Sequence, residues 1–271
     1  MNTQQPTIHI ERDGAIETVT LNRPDARNSL NRPMVEALAD HFDELYRRHD
    51  VRVVILKASG PSFCAGLDLK EGAGREYGDD APGHIQQGLE VQRRIGDIYR
   101  AMRRCPQPII SQIQGAACGG GFSLVMASDV RIAASDARMN AAYATIGLSG
   151  CDMGSSYFLP RLVGLSRASE LLLTGRFIAA DEAERIGLVS AVVEQSDLDD
   201  TGRAMADQML RLSPLGLRLT KEALGYSVDA QSLDAAMAME DRHQILAAQT
   251  TDYKEAVMAF REKRAPRYTN A

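Results

Sequence analysis

Paired cysteines, long apolar runs and an excess of positive charge are all missing from this sequence. The cysteines are Cys64, Cys105, Cys118 and Cys151, and none forms a CxxC pair. Neither a zinc knuckle nor a thiol redox motif is therefore indicated, and no metal site is expected. Free, buried thiols in a reducing compartment are the expectation. No apolar stretch approaches the roughly 18 residues that a membrane span needs. The opening residues, MNTQQPTIHIERDG, are polar and lack the apolar segment of a secretory signal, so a cytoplasmic protein is expected. The net charge is -5 at pH 7, which argues against nucleic acid as the main partner, because phosphate backbones need a basic face. Lysine is confined to positions 57, 70, 221, 254 and 263. Local basic clusters remain able to hold one small phosphorylated ligand.

What is present is ordinary globular composition, 44% hydrophobic and 25% charged over 271 residues. That length is long for one domain but within the range of single α/β domains. TIHIERDGAIETVTLNRP alternates apolar and polar residues about Asp13-Gly14 and reads as a hairpin. Asn31 followed by Pro33 reads as a helix start, and Met34, Leu38, Phe42 and Leu45 keep helical spacing to about Arg48. VRVVILKAS is a buried strand, and a second helix is expected from near Leu67. Residues 72–87, rich in glycine and charge, read as a mobile loop before a helix over 89–104. PIISQIQGAA reads as one strand, Gly119 opens a short helix to Met126, and VRIAASD and ARMNAA give short strands. From Ser155 the pattern is helical, over 155–163, 166–173, 181–186, 197–211, 214–226, 229–247 and 252–261. Strand–turn–helix units thus fill the first half and helices the second.

Two glycine turns stand out, CAGLD at 64–68 and CGGGF at 118–122. A helix start leaves backbone N–H groups unpaired at the positive end of the helix dipole. Glycine lets a ligand approach that backbone. Two such turns aimed at one point make an oxyanion hole, with the amides of Leu67 and Gly120 as donors. The same glycines also permit plain close packing of strand on helix, and the residues alone leave both readings open. Competing glycine motifs fail on spacing: no GxxxxGK[ST] occurs, GGGFSL is not GxGxxG after a first strand, and GLSGC lacks the last glycine of GxSxG.

LNRPDARNSLN, SFCAGLDLKE, IQGAACGGGFSLVMASDVRIA and FLPRLVGLSRASELLLTGRFIAADEAERIGLV, in this order, resemble the enoyl-CoA hydratase/isomerase (crotonase) superfamily across nearly the whole chain. The tail FREKRAPRY fits as well. The resemblance implies an α/β fold, a crotonase-like spiral of ββα units with a helical C-terminal trimerisation region. Residues 1–195 would then be the core with the acyl-CoA site, and 196–271 the helical region for oligomerisation and CoA contact. It implies homotrimers, or hexamers made as dimers of trimers. The substrate would be an acyl-CoA thioester whose carbonyl sits between the Leu67 and Gly120 amides. Coenzyme A would come as part of the substrate, with no permanently bound cofactor. Ala26 and Arg27 match where the family holds the CoA nucleotide, Ala65, Asp68 and Leu69 flank the oxyanion turn, and Phe260 and Lys263 match a C-terminal pair that reaches adenine and phosphates, often from a neighbouring subunit. Arg27 and Lys263 also read as plain surface charge, and Asp68 as a helix-dipole residue.

Hydratases of that family use two glutamates, and the matching positions here are Ser123 and Tyr143. Neither is a carboxylate, so two-glutamate hydration is not expected. The remaining acid is Asp152, in the loop that lines the family's acyl pocket. Placed among Leu148, Met153 and Phe158 it would serve as a base, and one base suffices for a double-bond shift. Asp152 also reads as a cap for a helix beginning near Gly154. Isomerisation, with Tyr143 donating or orienting, is the leading expectation. The alternatives are a non-catalytic acyl-CoA-binding protein and a hydrolase of a thioester or carbon–carbon bond.

Overall fold

A computed structural model describes residues 6–70 and 83–271. Strands β1 (Ile8–Asp13) and β2 (Ile16–Leu21) form the expected antiparallel hairpin, with Asp13 opposite Ile16. Helix α1 (Arg32–Glu44) is capped by Asn31, whose side chain accepts from the Met34 amide at 3.2 Å. Met34, Leu38, Phe42 and Leu45 are all fully buried, as their spacing requires. The chain continues through β3 (Val53–Ala58), α2 (His84–Arg104), β4 (Ile109–Ile113), β5 (Ala116–Cys118), α3 (Gly120–Ala127), β6 (Val130–Ala134) and β7 (Arg138–Asn140). The last part comprises α4 (Ser155–Val163), α5 (Leu165–Thr174), β8 (Ile178–Ala179), α6 (Ala180–Arg185), β9 (Ala191–Val193), α7 (Leu198–Leu210), α8 (Pro214–Ser227), α9 (Leu233–Ala248) and α10 (Thr251–Arg261).

Six strands make the main sheet in the order β1-β2-β3-β4-β6-β9, parallel throughout except for the hairpin. A parallel sheet needs cover on both faces. Val54 and Leu56 accordingly face the large core beneath α1 and α2, while Val53 and Ile55 join a smaller cluster with Leu198 and Ala206 of α7. A second sheet, β5-β7-β8, stands beside the first.

Several expectations need correction. No helix begins at Leu67: residues 67–70 form an isolated bridge and a turn, so Asp68 is not in a first helical turn. PIISQIQGAA is two strands rather than one, broken at Gly115, where φ is +55° and the chain leaves the main sheet for the second. Helix α2 starts at His84, five residues before the expected start, so 84–87 are not loop; Gly83 directly precedes the helix, and 72–82 lie outside the described residues. The helical half also contains β8 and β9, too short for a period-2 signal to register. Helix α9 starts at Leu233, where Ser232 caps it, rather than at 229. Among the cysteines, all free, Cys64 and Cys105 are buried as expected, Cys118 is half-buried and Cys151 is exposed.

A buried charge cluster locks α8 to the core. The Lys221 ammonium lies 2.9 Å from Asp129 and donates to the carbonyls of Met102 and Gln107. Arg103 meets the same carboxylate at 2.6 Å. Burial alone would raise the Asp129 pKa, but Lys221, Arg103 and the Ile109 amide overcome it and hold the acid below its ordinary range. A depressed carboxyl pKa contributes stability at neutral pH that is lost as pH falls through the folded-state value. Asp129→Asn should therefore cost about 3 kcal/mol at neutral pH, because it strands two cations. The deficit should shrink as thermal melts are repeated below the ordinary carboxyl value of 3.8.

Candidate active site

The two glycine turns come together through the strand order. Cys64 pairs with β5, donating to the Ala116 carbonyl at 3.0 Å and accepting from the Cys118 amide at 2.9 Å. Two residues later the chain has turned to the opposite neighbour. The Gly66 carbonyl accepts from the Leu30 amide at 2.7 Å, and Asp68 donates to the Leu30 carbonyl at 3.0 Å. The Gly66 carbonyl and the Leu67 N–H belong to one trans peptide unit and point in opposite directions. The Leu67 N–H is thereby aimed away from Leu30. The Gly119 carbonyl accepts from Ser123 at 2.9 Å, inside the first turn of α3, so the Gly120 N–H projects out of the helix start. Among the described residues no backbone oxygen accepts from either amide.

Contact between the turns is close. Gly66 has φ +96°, and a Cβ there would lie 2.9 Å from the Cys118 carbonyl oxygen and 3.6 Å from the Gly120 nitrogen. A Cβ on Gly121 would collide with the carbonyl oxygen and side chain of Cys64. Both positions thus need glycine for backbone approach, at a place where the helix dipole favours negative charge.

Helix α2 braces this region. The Tyr99 hydroxyl donates to the Gly120 carbonyl at 3.0 Å and lies 3.3 Å from the Met153 sulfur. Two turns earlier on the same face, Gln92 donates from Nε2 to Asp152 Oδ1 at 2.6 Å. The Met153 amide donates to the same oxygen at 2.7 Å. Gln92, Tyr99, Asp152, Met153 and Phe158 all line a cavity of about 880 Å³ between α1, α2, α4 and α8. Asp152 is half-buried, and its surroundings are less apolar than expected: Leu148 is 44% exposed, and an amide group faces the carboxylate. The helix-cap reading fails, because α4 starts at Ser155 behind Gly154 with no side-chain cap. Instead the Asp152 main chain closes a turn with Ser155, its amide donating to Ser155 Oγ at 3.1 Å and its carbonyl accepting from the Ser155 amide at 2.9 Å.

Ser123 and Tyr143 are buried, and the hydroxyl oxygen of each has no hydrogen-bond partner that meets normal geometry. Burial pushes the Tyr143 phenol up to about 12, a rise only partly opposed by the nearby hydroxyls of Ser155 and Ser123. Tyr99 is held well above its ordinary value by burial. Both phenols are therefore protonated at neutral pH; Tyr99 spends its hydrogen on the Gly120 carbonyl, while Tyr143 has one to offer.

The nucleotide-side candidates fall into two groups, one around Arg27, Ala65 and Asp68 and the other at the end of α10. Arg27, exposed at φ +50°, follows a 3-10 turn at Pro24–Ala26, and its carbonyl accepts from the Ala65 amide at 3.0 Å. Leu69 is 70% exposed beside it in sequence to Asp68, whose carboxylate is buried against Arg23 and Ser29 at 3.0 Å each. Phe260, 85% exposed, and Lys263 stand at the end of α10, which packs on α9. Sequence reasoning named Met153 beside Asp152 but missed Gln92 and Tyr99. Only the seven-residue spacing of Gln92 and Tyr99 hinted at a shared helix face.

The fold is that of a known family. The enoyl-CoA hydratase/isomerase family model matches residues 11–271, so the chain belongs to that family and is an enzyme of it. It is 38% identical over 258 residues to a protein of Mycobacterium bovis named probable enoyl-CoA hydratase, covering 94% of this chain and 90% of that one. It is 34% identical to the 1,2-epoxyphenylacetyl-CoA isomerase of Escherichia coli, covering 96% and 97%. The solved enoyl-CoA hydratase of Bacillus anthracis superposes with a TM-score of 0.90 at 33% identity, over 98% of this chain and all of that one. The mixed α/β architecture is thus crotonase-like.

The two adjacent glycines of α3 should separate fold from function. Gly121→Ala drives a methyl into backbone and should cost about 3 kcal/mol in thermal or denaturant melts. Gly120→Ala meets only the side chains of Leu30, Met153 and Tyr99, and should melt within a few degrees of the parent.

Proposed function

We propose that this enzyme acts on an acyl-CoA thioester, holds its carbonyl oxygen between the Leu67 and Gly120 amides, and moves a proton with Asp152 so as to shift a double bond. The observation that carries this reading is the pair of adjacent backbone N–H groups, each turned outward by a hydrogen bond on its own peptide or helix turn. Charge developing on a thioester oxygen as an adjacent C–H is broken would be met by two fixed donors, each worth about 3 kcal/mol of barrier. Asp152, on the cavity wall, would take the proton from one carbon and return it to another, leaving a dienolate between the two steps. Tyr143, protonated at neutral pH, is suited to donating a hydrogen bond, and Ser123 to orienting a polar group. Neither supplies the second carboxylate of two-glutamate hydration. The Escherichia coli relative, an isomerase by name, is in keeping with this choice.

The rim at Ala26, Arg27, Ala65, Asp68 and Leu69 would receive the CoA moiety. Asp68 would contribute through its backbone and its grip on Arg23, since its carboxylate is engaged there. Phe260 and Lys263 would reach CoA across a subunit boundary in a homotrimer or hexamer, with residues 1–195 as core and 196–271 as the helical assembly region. CoA arrives with the substrate, no resident cofactor is called for, and the cytoplasm is the proposed compartment. Among the described residues no helix is long and apolar enough to cross a membrane. Loss of both glutamates also suits a protein that binds acyl-CoA without turning it over, and the same experiment separates the two.

Solvent deuterium uptake into an enoyl-CoA, followed by mass spectrometry, reports enolate formation whatever the product. Wild type should exchange, and Asp152→Asn should lose at least about 100-fold of the rate while binding stays within a few-fold by calorimetry. Full exchange in that variant would remove Asp152 from the mechanism. Binding without exchange or turnover on enoyl, dienoyl and β-keto thioesters would favour the binder, and release of a free acid would favour the hydrolase. Tyr143→Phe should slow exchange roughly tenfold without moving the alkaline side of the rate profile, because the phenol does not titrate until about pH 12.

A further inference from the structure

We propose that Gln92 is a positioning residue whose side-chain amide holds the Asp152 carboxylate in place at the cavity wall and favours its ionised form. This rests on the reading of Asp152 as the base. The contact is short, 2.6 Å from Nε2 to Oδ1, and the Met153 amide adds a second donor to the same oxygen at 2.7 Å. Two N–H groups converging on one carboxylate oxygen fix its plane and stabilise the anion over the acid. The choice of a carboxamide matters. A guanidinium in this place would hold the carboxylate so strongly in its charged form that it became a poor base, whereas glutamine orients it without adding charge or competing for its proton.

The location of Gln92 gives the contact a second consequence. Gln92 and Tyr99 lie seven residues apart on the cavity face of α2, two helical turns or about 10.5 Å. Tyr99 holds the Gly120 carbonyl at 3.0 Å, and Gln92 holds Asp152. One rigid helix therefore sets the distance between the base and the turn that presents the Gly120 amide. Ser155 fixes the Asp152 main chain from the other side. Titratable groups near the carboxylate among the described residues include the phenols of Tyr99 and Tyr143 and the neighbouring thiol of Cys151. Farther along the cavity wall stand Arg93 and Arg100 on α2, with Arg100 paired to Asp97, and Lys221 and Glu222 on α8, with Lys221 paired to Asp129.

The test uses Gln92→Leu, which keeps bulk and removes the donor, and Gln92→Glu, which keeps shape. Each is assayed by solvent deuterium uptake into an enoyl-CoA across pH, with calorimetry for binding. Gln92→Leu should bind within about threefold of wild type, exchange about tenfold more slowly, and show the acid-side midpoint of its rate profile raised by about one pH unit, as loss of a charge-assisted hydrogen bond requires. Gln92→Glu should raise that midpoint further, because two carboxyl groups in contact share a proton. If Gln92→Leu melts early, Gln92→Glu carries the test alone. An unmoved midpoint in both variants, with or without a slower rate, overturns the proposal and leaves Gln92 as packing. Full exchange by Asp152→Asn would instead sink the base assignment itself, and Gln92's role with it. Loss of exchange in Asp152→Asn beside an unmoved midpoint in the Gln92 variants sinks only the present inference.

Discussion

The hydrogen bond from the Leu30 amide to the Gly66 carbonyl decides what the rest of the site can be. It fixes one face of the 66–67 peptide, and planarity does the remainder by sending the Leu67 N–H the other way. A carbonyl left unpaired there could rotate, taking the amide with it. Leu30 can make this bond because it directly precedes the Asn31 cap of α1, and because its side chain is fully buried against the position a Gly120 Cβ would occupy. The orientation of one amide thus depends on the packing of a helix whose other end lies far from the site. Preorganised donors of this kind are useful because they need not reorganise when charge appears.

Around that fixed pair the polar groups are arranged with little free charge. Tyr99, Tyr143 and Ser123 are buried and neutral, and the burial that holds both phenols protonated also makes their O–H dipoles count for more than in water. Asp152 brings the anionic group, at the half-buried wall of the cavity. Asp43 and Glu222 line the same cavity, but the proposed reading works with Asp152 alone, and such a site differs in kind from one that works with two acids. Two acids can act on opposite faces of a double bond, one on water and one on carbon. A single acid must work on one proton at a time, which is what the proposed double-bond shift requires. The neutral hydroxyls suit that task, since they stabilise without competing for the proton.

Much of the frame was legible in the sequence, because it follows from periodicity and capping. The buried spacing of α1 and the Asp13-Gly14 hairpin carry local signals, whereas Ser123 and Tyr143 were found only through the resemblance to the family. The Leu67 turn was read as a helix start because a glycine followed by an aspartate looks like one. The chain instead spends those residues on a bridge to Leu30, a partner 37 positions away that no local pattern announces. Strands β8 and β9 were missed for a related reason: two or three residues cannot show alternation, and β9 exists because β6 leaves an open parallel edge. For Gln92 the sequence offered no more than a helical spacing from Tyr99. On its own helix it looks like a solvent-facing polar residue, and only the fold of the 150–155 loop gives it a carboxylate to hold.

These facts suggest how such a fold can host different reactions. The backbone donors are set by glycines and by hydrogen bonds within the main chain, so side-chain changes nearby leave them standing. The groups proposed to move or orient protons come from elsewhere, from the fourth residue of α3, the turn after β7 and the loop before α4. Each of those positions can change type without disturbing the Leu30–Gly66 bond. On the proposed reading, a serine and a tyrosine in place of two acids, with an aspartate on the loop and a glutamine across from it, would alter the chemistry while the carbonyl is gripped as before. The fold therefore constrains where charge develops, and the residues lining the cavity determine which atom next receives the proton.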